Sequence, residues 1–186
     1  MNIYDFDDTI YSGDSTLDFY WYCLKNYPRT FLAVPIAFFG FALFKLSIIS
    51  KTLFKQRFFS FLRYVPEIDS VVLAFWDNNE SKIQKWYLKQ KRVDDIIISA
   101  SPEFLLMPIC NKLGVKLIAS QVNKHTGVFT GENCYGEEKI KRLVSEYKKV
   151  IIEKFYSDSL SDYPLAKLAK NAYLVKGTVI TDWEVS

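Results

Sequence analysis

Several carboxylates, hydroxyls and a lysine follow short apolar stretches of this sequence in a pattern that suits phosphate chemistry. Asp5 and Asp7 close the first apolar stretch, where residues i and i+2 of an extended chain point the same way. Crowded carboxylates repel one another unless a cation neutralises them, and oxygen ligands of this kind suit Mg²⁺. One aspartate can also act as a nucleophile, and its neighbour as a general acid and base. The later members of this polar set are Ser99, Ser101, Lys139, Asp158 and Asp162.

The predicted elements alternate between strand and helix, which places these polar residues at one edge of a sheet. Such alternation indicates an α/β fold with a parallel sheet, whose ligands bind at the carboxyl ends of the strands. A long helical stretch interrupts the alternation, so we expect a Rossmann-like core of residues 1–12 and 92–186 with an inserted helical cap of residues 13–91. The predicted core strands are 2–6, 94–98, 116–120, 150–156 and 172–175, and the predicted core helices are 102–113, 137–147 and 163–170.

Four short segments of the chain resemble the four motifs of a known family and occur in the same order as those motifs. Asp5-Phe6-Asp7-Asp8-Thr9 resembles the D-x-D-x-T signature of haloacid dehalogenase (HAD) superfamily phosphatases. The inserted helices are similar to the cap of the phosphoserine-phosphatase-like branch of that family. The resemblance covers essentially the whole chain and implies a Mg²⁺-dependent phosphatase that works through an aspartyl-phosphate. The segments similar to the other three motifs are Ile96-Ile97-Ile98-Ser99-Ala100-Ser101-Pro102, Gly136-Glu137-Glu138-Lys139 and Tyr156-Ser157-Asp158-Ser159-Leu160-Ser161-Asp162.

The resemblance implies a role for each matching position. Asp5 would be the nucleophile, and Asp7 the general acid and base, with its backbone carbonyl on the metal. Lys139 would be the third catalytic residue, offsetting the negative charge of Asp5 and of the phosphoryl group. Thr9 would support the loop at the substrate, and Ser99 would hydrogen-bond the phosphoryl group. The substrate-binding set is therefore Thr9, Ser99, Ala100 and Lys139, and the metal-binding set is Asp5, Asp7, Asp158 and Asp162.

Some of these residues have a second interpretation, and two positions depart from the family pattern. Many relatives have glycine where Asp8 and Ser157 stand, which bears on the branch of the family rather than on the chemistry. Ser101 precedes a proline and is equally typical of a helix cap. Asp162 could cap the following helix, and the first aspartates could cap a turn.

The segment from Phe19 to Pro66 combines basic and aromatic residues and contains no Asp or Glu. Its seven basic residues stand against a net charge of +3 for the chain, so the remainder carries about −4. An apolar stripe with basic flanks is typical of a helix lying on an anionic membrane. The competing interpretation is that the aromatic residues form the cap's own core and the basic residues a solvated face.

A more local similarity also points towards lipid phosphate. The strings Leu117-Ile118-Ala119-Ser120-Gln121 and Cys134-Tyr135-Gly136-Glu137-Glu138-Lys139 are similar to bacterial phosphatidylglycerophosphate phosphatases of the HAD type. The apolar run Phe31–Phe44 is short for a spanning segment, which needs about 20 residues, so we expect a buried or interfacial helix; a segment that spans or re-enters the membrane is the alternative.

Composition narrows the function classes and the compartment. A net charge of only +3 argues against a nucleic-acid-binding protein. Three scattered cysteines are typical of free thiols in a reducing compartment, and the chain opens without the basic stretch of a secretory signal. We therefore expect a cytoplasmic protein that contacts the inner face of the membrane peripherally if its substrate is a lipid.

Three functional hypotheses remain at this point. The first is a Mg²⁺-dependent phosphatase of a membrane lipid phosphate such as phosphatidylglycerophosphate. The second applies the same chemistry to a small soluble metabolite such as phosphoserine. The third, a non-catalytic protein that binds the membrane surface, is the least favoured because the acids, the serine and the lysine are all present.

Overall fold

A six-stranded sheet forms the centre of the fold in the computed structural model, which describes residues 1–147 and 150–184. The strand order is β3-β2-β1-β4-β5-β6, and each neighbouring pair is parallel except β5 with β6. The predicted α/β fold is confirmed. The strands are β1 (Asn2–Tyr4), β2 (Ile96–Pro102), β3 (Lys116–Ser120), β4 (Ile152–Ser157), β5 (Ala169–Lys176) and β6 (Val179–Asp182).

The carboxyl-terminal part of the sheet differs from the sequence prediction. The helix predicted over 163–170 is one turn, Tyr163–Ala166, because pairing with β4 draws the chain from Ala169 onward into β5. A turn at Gly177 then returns the chain as the antiparallel strand β6, which the sequence analysis did not predict. Pairing with a neighbouring strand here outweighs the local helical preference.

Helices flank the sheet, and five of them lie between β1 and β2 in the chain. Asp14 begins the first of these helices, since its carboxylate accepts a hydrogen bond from the Leu17 backbone nitrogen at 2.9 Å. Short 3₁₀ turns over Pro28–Ala33, Phe59–Tyr64 and Glu80–Lys82 connect the inserted helices. The helices are α1 (Ser15–Asn26), α2 (Val34–Lys45), α3 (Lys51–Phe58), α4 (Ile68–Asn79), α5 (Lys85–Gln90), α6 (Glu103–Leu113), α7 (Glu137–Glu146) and α8 (Tyr163–Ala166).

One hydrophobic cluster joins the sheet to the inserted helices. Tyr4 on β1 stacks on Tyr156 of β4 with ring centroids 4.9 Å apart, and Phe6 meets the edge of Trp76 at 5.9 Å. The Trp76 indole Nε1 also donates to the Leu105 carbonyl at 2.6 Å, which ties α4 to α6. Buried aromatic rings, together with the hydrogen bond of the Trp76 indole, therefore hold the insertion against the sheet.

The chain between β3 and α7 makes the excursion that its two glycine turns predict. Val122 and Phe129 pair in an antiparallel bridge, and Gly127 adopts a φ of +75° at the tip. Gly127 lies against the backbone of Phe59, where an added Cβ would come within 2.7 Å of the carbonyl carbon. The excursion therefore reaches the inserted helices through a contact that leaves no room for a side chain.

This contact generates a stability prediction. Gly127→Ala is expected to lower the free energy of unfolding by about 3 kcal/mol, because the methyl group meets backbone and the positive φ is strained for alanine. Gly114→Ala is the matched control, since Gly114 has a φ of +70° with nothing near its missing Cβ. The control should lose only about 1 kcal/mol. Equal losses in urea unfolding would show that the close approach to Phe59 carries no cost.

Candidate active site

The loop after β1 carries the first two aspartates and is shaped by a left-handed residue. The Asp5 backbone nitrogen donates to the Tyr156 carbonyl at 2.9 Å, so the start of the loop continues the pairing with β4. Asp8 adopts a φ of +52°, and its nitrogen donates to the Gly13 carbonyl at 2.9 Å. Glycine suits such a conformation, and aspartate is one of the few other residues that tolerates it. The departure at Asp8 from the family pattern therefore leaves the loop conformation intact.

Lys139, near the start of α7, joins two of the predicted carboxylates. Its Nζ donates to Asp5 Oδ1 at 2.9 Å and to Asp162 Oδ2 at 2.7 Å, and the lysine is only 2% exposed. Burial alone would lower the pKa of Lys139, but the two neighbouring carboxylates raise it, so the ammonium form is maintained. Ser157 Oγ also donates to Asp162 Oδ2, at 2.8 Å. The first, third and fourth motif segments thus meet at one buried ammonium group.

Asp7 is held by the second motif segment and by the first inserted helix. Ser101 Oγ donates to its Oδ2 at 2.5 Å, and the Ser15 backbone nitrogen donates to its Oδ1 at 2.7 Å. Burial, followed by the nearby charge of Asp14, raises the pKa of Asp7 to about 7, although these hydrogen bonds oppose the shift. A carboxyl group with a pKa near neutrality suits both the donation and the acceptance of a proton.

Asp158 and Thr9 connect the loops that follow β1 and β4. The Asp158 backbone nitrogen donates to Thr9 Oγ1 at 3.0 Å, and that hydroxyl lies 3.5 Å from Asp158 Oδ1. Thr9 is fully buried and is absent from the lining of the cavity described below, so its contacts are those of a loop support. Burial and the charges of Asp5 and Asp8 raise the pKa of Asp158 to about 6.

An irregularity at the end of β2 places the second motif segment. The register with β3 shifts between Ser99 and Pro102, and the Ser99 hydroxyl accepts a hydrogen bond from the Ser101 backbone nitrogen at 3.1 Å. The Ala100 carbonyl turns instead towards α3, where it accepts from Lys55 Nζ at 3.1 Å. Bulges of this kind commonly redirect side chains beside active sites.

Two alternatives left open by the sequence are resolved by these contacts. The residue that caps α6 is Pro102, without a side-chain hydrogen bond, while the Ser101 hydroxyl binds Asp7. Asp162 does precede α8, yet its carboxylate makes no capping bond and contacts Lys139 and Ser157 instead. Both residues therefore face the polar cluster rather than a helix end.

The cluster lines a cavity of about 360 Å³ that lies between the sheet edge and the inserted helices. Its lining combines the acids with four apolar side chains from the insertion, Leu17, Phe54, Phe58 and Phe59. Lys51 Nζ lies 3.6 Å from the centre of the Tyr135 ring, and both residues also line the cavity. The predicted residues lining it are Asp5, Asp7, Ser99, Ala100, Ser101, Lys139, Asp158 and Asp162, and the unpredicted polar ones include Asp8, Asp14, Thr16, Lys51, Lys55, Tyr135, Ser159 and Ser161.

Four of the unpredicted polar residues, Asp14, Thr16, Lys51 and Lys55, come from the insertion, whose spacing carries no motif. Lys55 is one of seven basic residues in an acid-free stretch, and only its contacts with Ala100 and Asn133 distinguish it. Asp14 is the N-cap of α1, and this local role already accounts for an aspartate at that position.

The donor set fits a divalent cation with oxygen ligands. Asp162 Oδ1 is buried and has no hydrogen-bond partner in the described part of the chain, and burial raises the pKa of Asp5 against the opposing effect of Lys139. Buried carboxyl oxygens of this kind indicate a shortage of positive charge. No group of three or more His, Cys, Asp or Glu side chains among the described residues is arranged to hold a metal. Mg²⁺ needs only one or two carboxylates besides waters and phosphate oxygens.

The chain belongs to the haloacid dehalogenase-like hydrolase family, whose model matches residues 3–167. The match confirms the family and the hydrolase class that the four sequence segments predict. A search of curated protein sequences finds no match to this chain. The finer similarity to phosphatidylglycerophosphate phosphatases stays a prediction.

Solved structures with this fold include phosphoserine-phosphatase-like proteins. A protein of unknown function from Bordetella pertussis Tohama I aligns with a TM-score of 0.68 at 18% identity, over 92% of this chain and 87% of that one. A probable phosphoserine phosphatase from Vibrio cholerae gives a TM-score of 0.66 at 12% identity. The alignment covers 92% of this chain and 55% of that protein. A phosphoserine phosphohydrolase-like protein from Francisella tularensis gives 0.53 at 15% identity, over 96% and 90%. At these identities the likeness is one of fold.

Lys55 generates a prediction about pH and stability. Burial, followed by the nearby charge of Lys51, lowers the pKa of Lys55 to about 8. A lysine whose folded pKa lies below its unfolded value of about 10.4 destabilises the fold below pH 8, and that cost disappears as the pH rises through the unfolded value. Lys55→Met is therefore expected to raise the free energy of unfolding at pH 7 by about 2 kcal/mol.

The increase in the free energy of unfolding caused by Lys55→Met should shrink towards zero as the pH approaches about 10.5. Loss of the Lys55 hydrogen bonds offsets only part of it, since the single Ser120 Oγ proton still reaches one of the two acceptors, the Ala100 carbonyl or Asn133 Oδ1. Urea unfolding at both pH values measures the effect, with the exposed Lys45→Met as the control. A gain of the same size at both pH values would contradict the assignment.

Proposed function

We propose that this protein is a metal-dependent phosphatase of phosphomonoesters that works through an aspartyl-phosphate. The supporting observation is the convergence of Asp5, Asp7, Lys139 and Asp162 in one cavity, with Lys139 bridging two of the carboxylates. In the same proposal, residues 13–91 act as a cap that selects the substrate for the core of residues 1–12 and 92–186.

The first step transfers the phosphoryl group to Asp5. A carboxylate oxygen of Asp5 attacks phosphorus, and the bond from phosphorus to the leaving oxygen breaks. Asp7 donates its proton to that oxygen, which leaves as an alcohol, and its pKa of about 7 suits this role. Lys139 and the Ser99 hydroxyl bind the transferring group, while Ser101 and the Ser15 nitrogen hold Asp7 in place.

The second step releases phosphate by hydrolysis. Asp7, now ionised, accepts a proton from water, whose oxygen attacks the phosphorus of the aspartyl-phosphate. The bond from phosphorus to Asp5 breaks, and the Asp5 carboxylate is restored along with inorganic phosphate. One carboxyl group thus serves as acid and then as base, which requires a pKa near the working pH.

Mg²⁺ would be held by the carboxylates of Asp5 and Asp158 and by the Asp7 backbone carbonyl, with Asp162 orienting that shell. When bound, it would neutralise phosphate oxygens and the carboxylates that burial penalises. Lys139 keeps its two carboxylate partners without the ion, because the ammonium is buried between them.

We propose a membrane lipid phosphate, such as phosphatidylglycerophosphate, as the substrate. The support is the composition of the cavity, whose lining includes the apolar side chains of Leu17, Phe54, Phe58 and Phe59 besides the acids. Such a lining suits an ester whose leaving group carries apolar chains. Peripheral contact with an anionic membrane belongs to this proposal, because the substrate would lie in the bilayer.

A soluble phosphomonoester with a second anionic group, such as phosphoserine, is the second candidate. The observation in its favour is the pair of lysines, Lys51 and Lys55, that the insertion brings to the cavity. Their ammonium groups suit a carboxylate as well as a phosphate. The two candidates differ in whether turnover needs a lipid surface.

Replacing the nucleophile is the direct test of the chemistry. Asp5→Asn is expected to reduce phosphate release at least about a thousandfold, since an amide is a poor nucleophile. A panel containing phosphatidylglycerophosphate in vesicles, phosphoserine and p-nitrophenyl phosphate measures the loss and separates the two substrate classes. Asp94→Asn is the matched control, because it makes the same change at an exposed aspartate that precedes β2 and does not line the cavity. This variant should retain activity. Wild-type rates in Asp5→Asn would refute the mechanism.

Metal dependence is tested on binding as well as on activity. Chelation is expected to abolish phosphate release, and added Mg²⁺ should restore it and raise the melting temperature of the wild type. Asp158→Asn should require about ten- to a hundredfold more Mg²⁺ for both effects, because a proposed ligand has lost its charge. A melting-temperature response of Asp158→Asn at the same Mg²⁺ concentrations as the wild type would rule out this residue as a ligand.

A further inference from the structure

The insertion exposes an unusually large apolar surface beside the cavity. The segment Pro28–Lys45 has a mean hydropathy of 1.3, is long and apolar enough to span a membrane by those criteria alone, and is only 17% buried. Phe38 and Phe39, on α2, are 67% and 65% exposed. A large exposed patch of this kind marks an interaction site rather than a core helix. We name it the α2 face, formed by Phe31, Leu32, Ile36, Phe38, Phe39, Phe41, Leu46 and Ile48.

Exposed positive charge lies in the same acid-free stretch of the chain as the α2 face. Residues 19–66 contain no Asp or Glu, and five of their basic residues are exposed. Lys45 Nζ lies 5.4 Å from the Phe41 ring, so its stem covers apolar surface while the ammonium stays in water. This combination complements the interface of an anionic bilayer. The exposed basic residues are Lys25, Arg29, Lys45, Lys51 and Arg63.

A continuous row of rings links the α2 face to the cavity. Phe41, which is half-exposed on the α2 face, contacts Phe54 at 5.8 Å, and Phe44 stacks on the same ring at 5.3 Å. Phe54 in turn contacts Phe58 at 6.5 Å, and both of these rings line the cavity. A surface that covers the α2 face therefore lies next to the aromatic part of the cavity lining, Phe54 and Phe58.

Geometry and charge favour a bilayer surface over the two other ways of covering the α2 face, which are insertion across a membrane and pairing with a second copy of the chain. Helix α2 has 12 residues and is about 18 Å long, and the 3₁₀ turn that precedes it, Pro28–Ala33, is anchored in the fold by buried Thr30 and Ala33. The length of Pro28–Lys45 alone would allow a spanning segment, but its start is held inside the protein. Gly40 packs against Arg57 so closely that an added Cβ would lie 2.9 Å from the Arg57 Cβ, which fixes α2 on α3. A second copy of the chain would bring like-charged rims together, since the acid-free stretch offers no carboxylate to pair with them.

We propose that the α2 face docks on the surface of an anionic phospholipid bilayer, with α2 lying in the interface plane. The basic rim then contacts lipid headgroups, and the phenylalanines enter the boundary between headgroups and acyl chains. Only one part of this proposal rests on the proposed function, namely that docking brings a lipid phosphate to the cavity. The docking itself does not require turnover.

Vesicle co-sedimentation of the full chain tests the docking. The protein is expected to bind vesicles of phosphatidylcholine mixed with phosphatidylglycerol and to bind pure phosphatidylcholine far more weakly. The double variant Phe38→Ser/Phe39→Ser should lower the binding by about tenfold or more, because it removes two exposed rings. Hydrolysis of soluble p-nitrophenyl phosphate should be unchanged in this variant, which shows that it is folded.

The matched control is Val93→Ser/Ile151→Ser. Both residues are exposed and apolar, and both precede strands at the amino-end edge of the sheet, away from the cavity. This pair should bind like the wild type. A charge variant, Lys25→Gln/Arg29→Gln/Lys45→Gln, should lose the preference for anionic vesicles and the sensitivity of binding to salt.

Several results would overturn the docking. These are an absence of binding to anionic vesicles, equal binding by the phenylalanine variant, or a dimer in solution that this variant dissociates. Release from vesicles only by detergent would equally overturn it, because it would indicate a spanning segment. Vesicle binding by a wild type without phosphatase activity would refute the proposed function and leave the docking standing.

Discussion

The buried ammonium group of Lys139 is the interaction on which the site depends. It contacts carboxylates that come from the first and last motif segments, and it reaches them from the start of a third. Removing the charge would leave Asp5 and Asp162 as like charges in a buried place, which is costly without a partner. The three chain segments are therefore held together by the same contact that would oppose the charge of a bound phosphoryl group.

Much of this arrangement could be predicted from the sequence because it follows from the strand ends. In a parallel sheet the residues after β1, β2 and β4 share one edge, so the order of the motif segments already brings Asp5, Ser99 and Asp158 together. The same reasoning applies to Lys139, which opens a helix beside that edge. The likeness extends along the chain, and the family match covers residues 3–167.

The remainder depended on packing between segments distant in the chain. Lys55 enters the cavity because α3 lies over the end of β2, and nothing in its sequence surroundings separates it from Lys51 or Arg57. Ser101 contacts Asp7 because the register of β2 shifts, which is a property of pairing with β3. Strand β6 did carry a local signal, since Val179, Ile180 and Thr181 favour strands and follow the turn at Gly177. The run has only four residues, however, and its antiparallel pairing with the edge of β5 is what makes it a strand.

The hydrophobic cluster shared by the sheet and the inserted helices has a consequence for how molecules reach the cavity. Phe75, Trp76 and Tyr87 from the insertion are buried with Tyr4 and Ile97 from the sheet in one continuous core. A hinge motion that lifted all five inserted helices would open this core to water, at a cost comparable to partial unfolding. Ligands therefore reach the cavity from the side of α2 and α3, which pack mainly on each other and expose many side chains. Helices α4 and α5 remain packed in the shared core.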